Sequence, residues 1–153
     1  MPVKKLLDYL DSKHVKYVLI RHSRAYTAQE IAQAAHIPGA TLAKTVMVKI
    51  DGAMAMAVLR GPDKIDRDLL RGCAGAASCE LASEEEFRNL FAQIEVGAMP
   101  PFGNLYDLPV YVDEALARDE RIAFNAGSHT ELVQLAYADF VRLVQPKSGN
   151  FTR

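Results

Sequence analysis

Cysteine is scarce in this chain: among 153 residues only Cys73 and Cys79 occur. Five residues separate them, a spacing that fits neither a redox Cys-x-x-Cys nor a zinc knuckle, so free thiols in a cytoplasmic protein are expected. A fold of this length buries roughly 68–70% of the surface its unfolded chain exposes and needs no covalent cross-link. Net charge is nearly absent as well. Eighteen Lys+Arg stand against 19 Asp+Glu, which excludes a protein that grips long stretches of nucleic acid by charge alone, so no DNA partner is expected. Every long apolar run is broken by a charge or a turn residue, so no membrane partner is expected either. The first residues meet Asp8 before a secretory core could form. Repeats, low-complexity tracts and Pro/Ser-rich linkers are missing, which implies one domain over 1–146 and a flexible polar tail over 147–153. No Walker A loop, Gly-x-Ser-x-Gly elbow or dinucleotide fingerprint is present. The four histidines lack the i, i+4 spacing and neighbouring acids of a metal site, so no catalytic metal and no cofactor is expected.

What remains is an ordinary globular composition, 50% apolar and 24% charged, with an uneven charge distribution. Residues 1–76 carry 12 Lys+Arg against 7 Asp+Glu, and residues 77–153 carry 6 against 12. A basic face for a polyanion would come from the first half. Val3, Leu6, Leu7 and Leu10 recur at helical spacing and predict an opening helix that ends near Lys13. Lys16 to Arg21 reads as a strand. Thr27-Ala28-Gln29-Glu30 is a capping box that opens a helix through Ala35. Ser83-Glu84-Glu85-Glu86 is a second box, opening a helix that turns Phe87, Leu90 and Phe91 inward. Strands are expected at Pro109–Val112, Arg121–Phe124 and Glu131–Leu135, and a last helix over Tyr137–Val144, halted by Pro146. Strands and helices alternate without a βαβ rhythm. The fold class is therefore mixed α/β: a curved mixed sheet or partial barrel flanked by helices.

The clearest local signal is Asp51-Gly52, a type I′ turn between two apolar runs. It pairs Ile50 with Ala53, Val48 with Ala55, Val46 with Ala57 and Lys44 with Leu59. Side chains alternate along a strand, so Lys44 projects with Val46, Val48 and Ile50, over a partner strand that offers alanines and leaves room above that face. The ammonium either snorkels to water or is aimed into a cleft. Glu95-Val96-Gly97-Ala98-Met99-Pro100-Pro101-Phe102-Gly103 is stiff in the middle and free to turn at both glycines. Such a loop can present backbone amides in fixed directions, with Phe102 closing a small apolar pocket. Asn125-Ala126-Gly127-Ser128-His129-Thr130 reads as a turn after a strand and gathers hydrogen-bonding groups; His129 donates to a substrate, shuttles a proton or caps the turn. Ser128 has no base–acid pair that would make it a nucleophile.

In their order and spacing, the Thr27 helix start, Ala43-Lys44-Thr45-Val46, the Gly97–Gly103 loop and the Asn125-Ala126-Gly127 turn resemble the YbaK/ProX family. These are free-standing aminoacyl-tRNA deacylases related to the editing insertion of bacterial prolyl-tRNA synthetases. The similarity spans nearly the whole chain. It implies trans-editing: hydrolysis of the ester of a mischarged tRNA bearing a small amino acid, without a metal and with help from the substrate's own ribose hydroxyl. It implies that Lys44 is the most important side chain, anchoring the 3′-terminal nucleotide or the ester oxygen, and that His129 is the counterpart of a functional late-loop histidine. Substrate contacts would then come from Gly97, Ala98, Met99, Pro100, Pro101, Phe102, Gly103, Asn125, Gly127 and Ser128. His22, Tyr26 and Thr45 join them by position. A pocket floored by Phe102, Ala55 and Ala57 would be small. The partner is the CCA end of a mischarged tRNA, with a synthetase or elongation factor assisting recognition. Two other readings stay open: a non-catalytic nucleotide- or amino-acid-binding module that regulates a synthetase, and a small aminoacyl-ester hydrolase.

Overall fold

Two antiparallel hairpins organise the chain, which is seen here in a computed structural model that describes residues 4–91 and 94–153. The first is β2 (Ala43–Ile50) with β3 (Ala53–Arg60). Its register is the one Asp51-Gly52 dictates, from Ile50↔Ala53 through Lys44↔Leu59 to Ala43↔Arg60. Both turn residues have positive φ, 51° and 81°, the geometry of a type I′ loop. The second hairpin is β6 (Arg121–Ser128) with β7 (Glu131–Ala136). Around the first, β4 (Cys79–Leu81), β5 (Val110–Asp113) and β8 (Lys147–Gly149) complete a mixed five-stranded sheet in the order β4-β2-β3-β5-β8. Around the second, β1 (Tyr17–Arg21) completes a three-stranded sheet in the order β1-β7-β6. The mixed α/β class holds, with two open sheets in place of the single curved sheet or partial barrel. An isolated parallel bridge, Leu42↔Ala123, joins them.

The main core fills the space between the sheets. Met47, Met56 and Val58 from one meet Phe124, Val133 and Leu135 from the other. The helices α1 (Lys4–Ser12) and α5 (Tyr137–Val144) add Leu6, Leu10, Phe140 and Val144. Val3, which the periodicity assigned to α1, lies outside the described residues. The helix α2 (Ala28–Ala35) opens on the expected capping box, with Glu30 N–H donating to Thr27 Oγ1 and Thr27 N–H to Glu30 Oε1. It lies across the seam between the sheets, Ile31 and Ala32 packing with Leu42, Ala123 and Leu132.

Three local expectations give way. The second capping box forms at Ser83, but α4 (Glu84–Phe87) is one turn long and passes into a 3-10 turn over Arg88–Leu90. The chain leaves helical geometry at Phe91 (φ −124°, ψ 69°), and Phe87 and Phe91 are buried while Leu90 is exposed. The room above Val46, Val48, Ala55 and Ala57 is not a cleft. A helix not foreseen from the sequence, α3 (Arg67–Ala74), lays Leu70 there, and Phe151 fills the remainder. The polar tail is correspondingly ordered: β8 pairs with β5, Phe151 N–H donates to Asp113 Oδ1 at 2.9 Å, and Phe151 is fully buried. One aromatic side chain is enough to dock a polar segment once a two-alanine trough receives it.

Candidate active site

Lys44 lies at the end of the filled trough, beyond Leu70 and Phe151, where the β2 stripe opens toward α2. There it lines a cleft of about 830 Å³ with Thr27, Ala28, Gln29, Ala32 and Gln33 on one wall and Gly61 to Lys64 on the other. The far wall is a tight turn. Gly61 N–H donates to Leu42 O at 2.7 Å, and Arg60 holds Asp63 through two bonds of 2.7 and 3.0 Å. A Cβ on Gly61 would stand 3.0 Å from Ala28 Cβ and 3.3 Å from Gly39 O, so glycine lets this wall close on α2. Burial pulls the Lys44 ammonium below its ordinary pKa range; Asp63 opposes that shift and Lys64 adds to it. A half-buried cation with no hydrogen-bonded acid among the described residues is poised to meet an anionic or carbonyl oxygen.

The second half of the site forms around His129. The Asn125–Ser128 segment is not a turn: β6 continues through it, with a bulge between Asn125 and Ser128 and Gly127 at φ 98°. His129 and Thr130 are the loop itself. His129 is buried, its Nε2 lies 2.8 Å from Val96 O and its N–H donates to Glu95 Oε2 at 2.8 Å. A carbonyl accepts only, so Nε2 donates in this bond. Glu95 reaches back through Oε1 to Arg24 at 2.7 Å. Two further bonds, Glu95 N–H to Gly127 O and Gly127 N–H to Ala98 O, lock the loops together. Gly97 has φ 85° and is exposed, and a Cβ there would sit 3.6 Å from His129 Cε1.

Most of the expected loop contacts are core instead. Ala98, Met99, Pro100, Pro101, Phe102 and Gly103 are buried. Phe102 packs on Tyr9, Phe124 and Phe140, on the opposite face of the large sheet from Ala55 and Ala57. These three residues therefore share no pocket, and Phe102 anchors the loop. Gly103 is small because Leu108 O and Val110 Cγ2 would each lie 2.6 Å from a Cβ. Ser128 is buried with its Oγ near Thr130 Oγ1, in no position to act as a nucleophile. Ala98 N–H is occupied by Glu95 O, leaving Gly97 and Met99 N–H without a hydrogen-bond partner among the described residues.

The two halves meet at consecutive residues: Tyr26 packs on the His129 ring, centroids 4.8 Å apart, and Thr27 lines the Lys44 cleft. They also meet along the seam, where Lys44 and Asn125 each stand two positions past the Leu42↔Ala123 bridge. Thr45 Oγ1, Asn125 Oδ1, His129 Nδ1 and His22 Nε2 are buried without a hydrogen-bond partner among the described residues, an unfavourable state that a polar ligand relieves. Sequence reasoning missed Arg24, Glu95, Gly61, Asp63 and Lys64. The last three were within reach, because the register that puts Ala43 opposite Arg60 carries the following turn to the Lys44 end of the hairpin. Two other surface depressions, of about 480 and 430 Å³, contain neither Lys44 nor His129. Among the described residues no helix is long and apolar enough to cross a membrane.

Comparison with known proteins bears on the fold and the family. The family profile described as aminoacyl-tRNA editing domain matches residues 22–143. The multifunctional Ser/Thr-tRNA deacylase ProXp-y of Escherichia coli K12 is 28% identical, over 98% of this chain and 92% of that protein. The prolyl-tRNA editing protein ProX of Acetoanaerobium sticklandii is 26% identical over 93% and 90%. Among solved structures, a candidate trans-editing enzyme for prolyl tRNA synthetase superposes with a TM-score of 0.83 at 22% identity, covering 98% of this chain and 96% of that one. A hypothetical protein reaches 0.88 at 18%, covering 98% and 100%.

Proposed function

The chain belongs to the aminoacyl-tRNA editing domain family, and we propose that it is a trans-editing deacylase that hydrolyses the ester of a tRNA mischarged with a small amino acid. The observation that carries this reading is Lys44, a half-buried cation opening into the cleft between α2 and the 61–64 turn. In this reading the terminal nucleotide enters between α2 and the 61–64 turn, and the Lys44 ammonium holds its phosphate or the ester oxygen. The Gly97 and Met99 amides face the aminoacyl carbonyl and stabilise the oxyanion that forms on it. Water adds to the carbonyl carbon, the bond to the ribose oxygen breaks, and the water's proton ends on that oxygen. The products are a free amino acid and a tRNA with its terminal hydroxyl restored. The neighbouring ribose hydroxyl orients the water. His129 is a positioning residue here: it holds Val96, and through it Gly97, rather than touching the substrate.

With a net charge of −1, the protein alone binds tRNA weakly and salt-dependently. A synthetase or elongation factor in the cytoplasm would deliver the substrate. The test is single-turnover deacylation of tRNAs charged with Ala, Ser, Thr, Cys and Pro, by wild type and Lys44→Ala. Selective release that disappears in a folded Lys44→Ala variant supports the proposal. Release of none of the five above the spontaneous rate overturns it for these substrates, and ligand binding without turnover favours a regulatory module.

A further inference from the structure

Tyr26 is the most exposed large apolar side chain among the described residues, at 63%. A tyrosine that exposed ordinarily samples several rotamers. This one is fixed from two sides. Arg24 Nε donates to its hydroxyl at 2.9 Å and the Arg24 guanidinium lies 5.6 Å from the ring centroid. The His129 imidazole packs at 4.8 Å, inclined by 50°. Arg24 is itself tied to Glu95, whose other oxygen accepts the His129 N–H. The ring is therefore a rigid plate beside a cation, one residue from the rim of the Lys44 cleft.

We propose that Tyr26 is a stacking platform for an unpaired nucleobase at the single-stranded 3′ end of an RNA, with Arg24 meeting the adjoining phosphate. The inference rests on the reading above, in which the cleft takes that end. The near-neutral charge supports it: phosphate contacts alone give such a protein little affinity, so contacts to the bases must contribute. Every base has a π face, and a plate fixed in advance loses little freedom on binding one. A protein partner would call for apolar neighbours, yet Arg24 beside the ring and the chain neighbours Ser23 and Thr27 are polar and exposed.

The experiment measures binding of a 5′-labelled RNA hairpin with a single-stranded 3′ ACCA end, against a twin whose last three nucleotides are abasic. Tyr26→Leu is expected to weaken binding of the base-bearing hairpin about tenfold and to leave the abasic twin unchanged. Tyr26→Phe keeps the ring and its packing on His129 but not the Arg24 bond, and is expected to retain the preference for the base-bearing hairpin. Equal loss on both RNAs would mean that the ring acts only through His129 and would overturn the proposal, as would a wild type that binds neither RNA or fails to distinguish them. Base-dependent binding without ester cleavage would retain the platform and remove the hydrolase reading. Cleavage without base dependence would do the reverse.

Discussion

Phe151→Ala tests the least expected part of the fold. The side chain is fully buried against Val48, Ala55, Ala57, Leu59 and Leu70. Its backbone is held independently, the N–H by Asp113 Oδ1 at 2.9 Å and the carbonyl by Asp66 N–H at 2.8 Å. With both anchors intact the segment stays in place, so truncation leaves a cavity rather than a released strand. Burial of this kind corresponds to about 3–5 kcal/mol for Phe→Ala. At roughly 2.1 cal/mol/K per residue the whole chain unfolds with an entropy of about 0.3 kcal/mol/K, so Tm should fall by about 9–16 °C. Thermal melts followed by circular dichroism read this directly, and urea melts should show the same loss with an unchanged slope. A Tm shift below about 3 °C would mean that the last residues are loosely attached and would refute the docking of Phe151 described above.

Three other perturbations have defined outcomes. Because burial depresses the Lys44 pKa, the folded state binds fewer protons than the unfolded one below 10.5, so this group makes stability rise with pH up to that value. Lys44→Met should therefore be at least as stable as wild type at pH 7, with an advantage that shrinks toward pH 10.5; urea melts across that range would expose the opposite trend. Gly61→Ala places a Cβ 3.0 Å from Ala28 Cβ and should destabilise by about 1–3 kcal/mol while raising KM for the acylated RNA, and an unaffected KM would free the turn from any part in the cleft. Bonds from Lys49 and Ser83 hold the Glu86 carboxyl down at about 2. Its stabilisation is present above the ordinary carboxylate range and lost as pH falls toward 2, so the stability gap between wild type and Glu86→Gln should close over that interval in acid titrations.

Much of the fold was legible where backbone chemistry is local. Asp51-Gly52 set a register that holds over eight residue pairs, and both capping boxes form. The Tyr137–Val144 helix has the expected bounds. What escaped depends on distant partners. The strands Cys79–Leu81 and Lys147–Gly149 pair through main-chain bonds with side chains mostly in water, so they carry no alternating pattern. The Arg67–Ala74 helix buries only Leu70, although the Asp66 cap and the Gly75 stop at its two ends were within reach. At the site, Lys44 stood out because a charge on an apolar stripe is anomalous within its own strand. Glu95 and Arg24 did not, because their pairing spans 71 positions and neither has an unusual neighbour in sequence. The Asn125–Ser128 stretch misled for a physical reason: Gly127 serves a bulge inside a strand, and bulges and turns recruit the same residue.

The joint between the sheets also fixes when the site comes into being. Lys44 enters the chain early, while Asn125 and His129 are added more than eighty residues later, and Leu42 gains its neighbour only once Ala123 exists. A ribosome-bound chain that has not yet reached the second hairpin holds the cation but neither the strand beside it nor the clasp on Val96. Newly made copies should therefore stay silent until the second hairpin has been made, and recovery of activity during refolding should follow the slowest long-range pairing rather than the early hairpin.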